Sequence, residues 1–218
     1  MIDIITSENA GFFRNELDEA YRLRHEVFVA EKGWSDLAKP DYREIDQFDN
    51  EHAVHMICQR DGKVVGYQRM LPTTKPHLLS TVLSNLCEVT RPVGPHVWEW
   101  TRYCVAKPYR ERGRTLSPVA NALLSAIVEW GLARGTNQII IEMEPIWLLR
   151  LVQLNFMVTP LGIPRQIEGE SVVAVVAQFD ERTLQMLRDM RGNNLPAINS
   201  PRPFLTAANG GALLCSVE

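Results

Sequence analysis

Asp61-Gly62 stands between two runs, residues 53–59 and 63–71, in which apolar and polar side chains alternate. A D-G pair flanked in this way is a strong hairpin signal, because both residues accept the positive φ angles of a two-residue turn. Two neighbouring strands are thereby fixed as antiparallel. Residues 97–106 read as a third central strand. Ser117 then caps a helix with Pro118 in its first turn, which runs to about Arg134 and stops at Gly135. "NQIIIEM" follows as a buried strand. A hairpin followed by a β-α-β-α unit indicates an α/β fold, a three-layer α-β-α sandwich with a mixed, mainly antiparallel central sheet.

The remaining elements fit that frame. Residues 2–5 are a short strand. Apolar positions from Phe12 to Phe28 recur at helical spacing. Residues 31–50, "EKGWSDLAKPDYREIDQFDN", break the pattern with Gly, Pro and many acids, and read as a long loop, a place where function concentrates. "PTTKPHLLSTVLSNL" opens on prolines and becomes a short helix. "PIWLLRLVQLNF" reads as a helix, "VTPLG" as a turn into more β, "SVVAVVAQFD" as a strand and "ERTLQMLRDMR" as a helix. Residues 1–191 are expected to form one domain, and residues 192–218, with scattered Pro, Asn and Gly, a weakly structured tail.

Composition excludes several classes. The net charge is −3 and Lys and Arg are not massed in a block, so nucleic-acid binding is not expected. No run reaches the ~20 apolar residues that span a bilayer, and "MIDIITSENAGFF" does not resemble a signal peptide. Cys58, Cys87, Cys104 and Cys215 form no C-x-x-C pair and have no His cluster beside them, so no metal is expected and reduced thiols in a cytoplasmic protein are.

The strand at 97–106 carries charges that a core strand avoids. Glu99 and Arg102 are three apart, so on a regular strand they project to opposite faces unless a bulge intervenes. Burying either requires a partner. The turn that follows, "VAKPYRERGRTLSP", leads into a helix N-terminus, where free amides and the helix dipole favour anions. It resembles the acyl-CoA phosphate turn of the GNAT acetyltransferases, R-x-x-G-x-[GA]: Arg110 and Gly113 fit, and Thr115 departs from it.

Further polar positions join these. Arg24, Phe28 and Trp34 lie along the first helix and into the loop. Asp46 and Asp49 form D-x-x-D, Arg69 sits in the strand after the D-G turn, and Glu99, Thr101 and Arg102 form E-x-[ST]-R. Present together and in this order, they resemble the signature of the acyl-homoserine-lactone synthases, the autoinducer synthases of bacterial quorum sensing, over about residues 1–185. That family's GNAT-like fold agrees with the reading of the turn. Two positions depart from its usual pattern: Leu83 or a neighbour stands where a Phe is common, and Thr101 where Ser is common.

The resemblance implies two substrates, S-adenosylmethionine and an acyl thioester (acyl-CoA or acyl-carrier protein), with no permanently bound cofactor. The amine attacks the thioester, and the methionine carboxylate then closes on its own γ-carbon and expels methylthioadenosine. Glu99 is the first candidate for the base and Asp49 the second. Phe28 and Trp34, with Asp46 and Asp49, suit the sulfonium and adenine. Arg24 or Arg69 suits the substrate carboxylate, and Arg102 pairs Asp46 or Asp49. Backbone amides near Tyr103 and Cys104 are candidate oxyanion donors. Trp98, Trp100 and Trp147 are candidates to narrow an acyl tunnel, and Met143 is either packing or tunnel lining. "RYCV" and "PTTKPHLLS" look closer to the smaller, acyl-CoA-using group with branched or aromatic acyl chains. The rival readings are a GNAT N-acyltransferase acting on another amine, and a GNAT-like binding module without catalysis.

Overall fold

The structure, a computed structural model, describes residues 1–111 and 116–199. Its elements in chain order are β1 (Ile2–Ile5), α1 (Arg14–Arg24), β2 (Val54–Arg60), β3 (Lys63–Pro72), α2 (Leu78–Thr81), β4 (Val97–Val105), α3 (Pro118–Leu132), β5 (Gln138–Met143), α4 (Leu148–Gln153), β6 (Met157–Pro160), β7 (Arg165–Ile167), β8 (Glu170–Gln178) and α5 (Glu181–Arg191). The sheet runs β1-β2-β3-β4-β5-β8-β6, with β7 on β8. β4 and β5 pair in parallel, and the other neighbours are antiparallel. The D-G hairpin is present, with Arg60 opposite Lys63 and positive φ at Asp61 and Gly62.

Helices cover both faces of this sheet. α3, α5 and the inner side of α4 pack on one, burying Leu123, Ile127, Leu151 and Leu187 against Met70, Ile139 and Val175. α3 approaches closely because residue 66 is glycine: a Cβ there would stand 2.7 Å from Val119 Cγ1. α1 covers the other face at Ile57, Tyr67 and Cys104, and α2 covers it at Val97 and Ile140. Among the described residues no helix is long and apolar enough to cross a membrane.

Four details differ from the sequence reading. The first helix is α-helical only to Arg24 and continues as a π-helix over His25–Glu31. The π segment spans only seven residues, too few repeats for periodicity to separate the two. The helix expected over residues 145–156 is a 3₁₀ turn, Pro145–Trp147, and then the short α4; Asn155 at φ 62° closes it. Residues 157–160, which overlap the expected turn "VTPLG", form the edge strand β6, where proline is tolerated. The start of the expected tail folds back, with Ile2 N–H donating to Ala197 O and Asn199 N–H to Ile2 O. That satisfies the free edge of β1. Residues 200–218 lie outside the described residues.

β4 departs from regularity twice, and the departures create the site. Its pairing with β5 covers only Val97–Glu99 against Gln138–Ile140, after which the two strands part. Against β3 the register slips between Tyr67 and Arg69, so that Arg102 and Tyr103 together stand opposite Gln68. Arg102 takes φ 56° in this bulge. The extra residue turns the Arg102 side chain to the face that carries Arg69 and Thr101, so Glu99 and Arg102 serve the same side of the sheet.

Candidate active site

Two buried arginines, the half-buried Arg102 and three acids form one network under α1. Arg24 donates from Nε to Glu44 Oε2 (2.6 Å) and in a fork to Asp49 Oδ1 (2.7 Å) and Oδ2 (3.0 Å). Arg69 makes a matching fork to Asp46, at 2.6 and 2.9 Å, and donates from Nε to Thr101 Oγ1 (3.1 Å). Arg102 reaches Glu44 from Nε (3.1 Å) and Asp46 from its outer nitrogen (2.9 Å). The charges cancel within the network, and forked guanidinium–carboxylate pairs are the geometry that offsets desolvation best. Burial opposes ionisation of Asp49, but the Arg69 and Arg24 guanidiniums overcome it and hold the carboxyl well below the usual carboxylate range. Asp46 is lowered in the same way, against burial, by Arg69 and then Arg102.

This network ties the long loop to the sheet. Arg24 and Arg69 have no exposed side-chain surface, whereas Arg102 retains 9%. Of the three, Arg102 is the one that lines the adjoining cavity. Glu44 is the member that the sequence analysis missed; its placement two residues before Asp46 in "REIDQFD" was the available signal.

Behind the network, the Tyr67 hydroxyl lies 2.7 Å from His55 Nδ1 and accepts from Arg24 at 3.3 Å. Burial depresses the His55 pKa to about 4, against about 6.5 in an unfolded chain. His55 therefore contributes stability that is fully present above pH 6.5 and is lost as pH falls from there towards 4, by at most about 3 kcal/mol. Urea titrations should show the midpoint falling between pH 6.5 and 5 in the wild type and a flatter profile in His55→Gln. An equal slope in both proteins would refute the assignment.

The cavity, about 610 Å³, opens where β4 and β5 part. One end is aromatic and charged: Phe28 and Trp34 stack at 5.1 Å between centroids, and the Arg102 guanidinium lies 5.6 and 5.8 Å from their ring centres. The π-helix supports the stack, since the Trp34 N–H donates to Phe28 O (3.0 Å). Its wall also carries the apolar side chains Trp100, Met143, Trp147, Leu151, Leu154 and Val172, with Glu144, Glu168 and Glu170 among them. Thr101, Tyr103, Cys104 and Arg110 also line it. Burial pushes the Cys104 thiol up to about 12, so it is a neutral wall atom at neutral pH. Past Glu99 the β4 backbone has no β5 partner, so its amides near Tyr103 and Cys104 stand at the gap. Arg110 donates to Val105 O (2.7 Å) and pairs Glu31 (2.5 Å) at the rim. Gly113 lies outside the described residues.

Several candidates do not reach the cavity. Arg24, Arg69, Asp46 and Asp49 form the wall behind it, so they hold the loop and position Arg102 and Thr101. Trp98 packs edge-on against Trp130 of α3 (4.8 Å) and belongs to the core, away from any tunnel. Glu99 is wholly buried, and its carboxylate accepts Leu78 N–H (2.8 Å) and Leu79 N–H (2.7 Å) at the start of α2. Glu142, on the same face of β5 and two residues beyond the Glu99–Ile140 pair, does line the cavity. Nothing in its sequence context marks it as a site residue.

Comparison with known proteins defines the class. The family model described as autoinducer synthase matches residues 9–187. The chain belongs to that family, and is an acyltransferase of the acyl-homoserine-lactone synthase kind. It is 36% identical to the isovaleryl-homoserine lactone synthase of Bradyrhizobium diazoefficiens over 199 residues, 91% of this chain and 88% of that protein. The solved structure of BjaI, a CoA-dependent acyl-homoserine lactone synthase with SAM and isopentyl-CoA, superposes with a TM-score of 0.85 at 35% identity, covering 93% of this chain and 94% of that one. An acyl-CoA N-acyltransferase from Pseudomonas aeruginosa shares the fold alone, with a TM-score of 0.55 at 13% identity over 81% of this chain and 98% of that one.

Proposed function

We propose that this enzyme transfers the acyl group of an acyl-CoA to the amine of S-adenosylmethionine, after which the methionine carboxylate closes to the lactone and methylthioadenosine leaves. The observation that carries the reading is one cavity lined by both an aromatic, cationic cluster and a set of apolar side chains, at the place where β4 loses its partner. The Phe28–Trp34 stack offers its faces to the adenine and sulfonium. Arg102 is the network cation at the cavity and suits the substrate carboxylate. Backbone amides near Tyr103 and Cys104 suit the oxyanion of the tetrahedral intermediate. Arg110 stands at the rim, where a phosphopantetheine arm enters. Trp100, Met143 and Trp147 bound the acyl chain and favour a short, branched or flat group.

Likeness to a CoA-dependent relative supports acyl-CoA over acyl-carrier protein as donor. The test is incubation with S-adenosylmethionine and matched acyl-CoA and acyl-carrier-protein donors, following lactone and methylthioadenosine by mass spectrometry. Equal amounts of lactone and methylthioadenosine are expected, with kcat/KM for the preferred acyl-CoA at least about tenfold above the carrier-protein donor, the scale of one or two well-placed contacts. Acyl transfer without methylthioadenosine would overturn the reading in favour of an N-acyltransferase acting on another amine. A preference for acyl-carrier protein would overturn the donor assignment alone.

A further inference from the structure

Glu99, the sequence's first candidate for the base, is shut off from the cavity. Both its oxygens are occupied by the amides of Leu78 and Leu79, and it has no exposed surface. A carboxylate in that position needs an intermediary to reach an amine in the cavity. The side chain beside it is Glu142, which lines the cavity and lies on the same sheet face, two residues beyond Ile140, the β5 partner of Glu99. Two buried carboxyl groups side by side share a proton, because two ionised ones repel. The two backbone donors on Glu99 favour the charge there, which leaves Glu142 as the neutral acid. One Glu142 oxygen, Oε1, is buried with no donor directed at it among the described residues, as expected where its neighbour is an acceptor and the proton between them belongs to Glu142. Burial, and then the Glu99 charge, push the Glu142 carboxyl well above the ordinary carboxylate range.

We propose that Glu142 is a further catalytic residue, a neutral carboxylic acid that relays the proton of the substrate amine to Glu99. This rests on the reading of the cavity as the amine-acylation site. As the substrate ammonium N–H bond breaks, the cavity-side oxygen of Glu142 takes the proton and the nitrogen keeps the electron pair. The inner oxygen of Glu142 passes its own proton to the Glu99 carboxylate. Glu142 is neutral before and after, Glu99 becomes neutral, and the amine is free to attack. When the C–N bond has formed, the nitrogen still carries one surplus proton, which passes to the departing thiolate as the C–S bond breaks. The proton held on Glu99 returns through Glu142 by the same path to solvent, leaving amide, thiol and one released proton. A residue that is acid and base at once suits this position better than a second carboxylate would.

The test is Glu142→Gln, which keeps the size and a donor towards Glu99 but cannot exchange protons. We expect kcat to fall about 100-fold, the lower end of general acid–base effects, with KM for both substrates changed less than about threefold. The solvent deuterium isotope effect on kcat should change as the relay is lost. Unchanged kcat, or a loss confined to KM, overturns the relay while wild-type lactone production keeps the proposed function. An infrared difference spectrum of wild type against Glu142→Gln tests the neutral acid without turnover: a protonated-carboxyl band is expected in the wild type and absent from the variant. Its absence from the wild type overturns the proposal whatever the activity.

Discussion

Glu44→Ala will destabilise the fold by about 3–5 kcal/mol, the scale of removing one partner from a buried ion pair. The Glu44 carboxylate is 1% exposed and takes bonds from two guanidiniums, Arg24 at 2.6 Å and Arg102 at 3.1 and 3.2 Å. Its loss leaves three cations facing only Asp46 and Asp49, and opens space that water reaches poorly. Glu44→Gln keeps an acceptor oxygen but not the charge, so a smaller loss, about 2 kcal/mol, is expected. Urea denaturation, which leaves ionic strength unchanged, gives both values. A loss below about 1 kcal/mol for Glu44→Ala would mean that the network relaxes around the gap. The same variant should raise KM for S-adenosylmethionine, because Arg102 is then held by Asp46 alone.

Glu44 also shows where the sequence stops being informative. It is one acid among several in a loop without periodicity, so nothing marked it as buried until the fold brought Arg24 of α1 and Arg102 of β4 to it. The frame was legible, because its signals are local: Asp61-Gly62 dictates a turn, and Ser117, Pro118 and Gly135 bound a helix, with φ 68° at Gly135 where that helix has ended. The site signature was legible as a set of residues, through resemblance, but not as a geometry. Strict alternation placed Glu99 and Arg102 on opposite faces, and a one-residue bulge against Gln68 reversed that. The separation of Arg24, Arg69, Asp46 and Asp49 from the cavity depends on side chains forking onto one another across loop, helix and strand, which no spacing along the chain encodes. Glu142 closes an apolar run, "IIIEM", and reads there as the ordinary polar end of a strand. Only the pairing of Glu99 with Ile140 sets it beside a second carboxyl.

Glu99→Gln is expected to lower kcat about 1,000-fold while the protein remains folded, a loss within the range of general-base catalysis. Two effects combine in this substitution, and they separate. A glutamine offers one acceptor oxygen where the carboxylate offers two, so either the Leu78 or the Leu79 amide is left facing an NH₂ group. That costs about 1–3 kcal/mol of stability and loosens α2, whose Leu78 lies on the cavity wall. The missing base acts differently: it matters only while the substrate arrives as an ammonium. Raising the pH supplies the free amine from solution, so the defect in kcat/KM relative to wild type should shrink towards alkaline pH. A loosened helix would give a deficit that does not change with pH. Measuring kcat/KM for S-adenosylmethionine in both proteins between pH 7 and 9.5 decides between them. A constant ratio across that range would remove Glu99 from the chemistry and leave it as the N-terminal cap of α2.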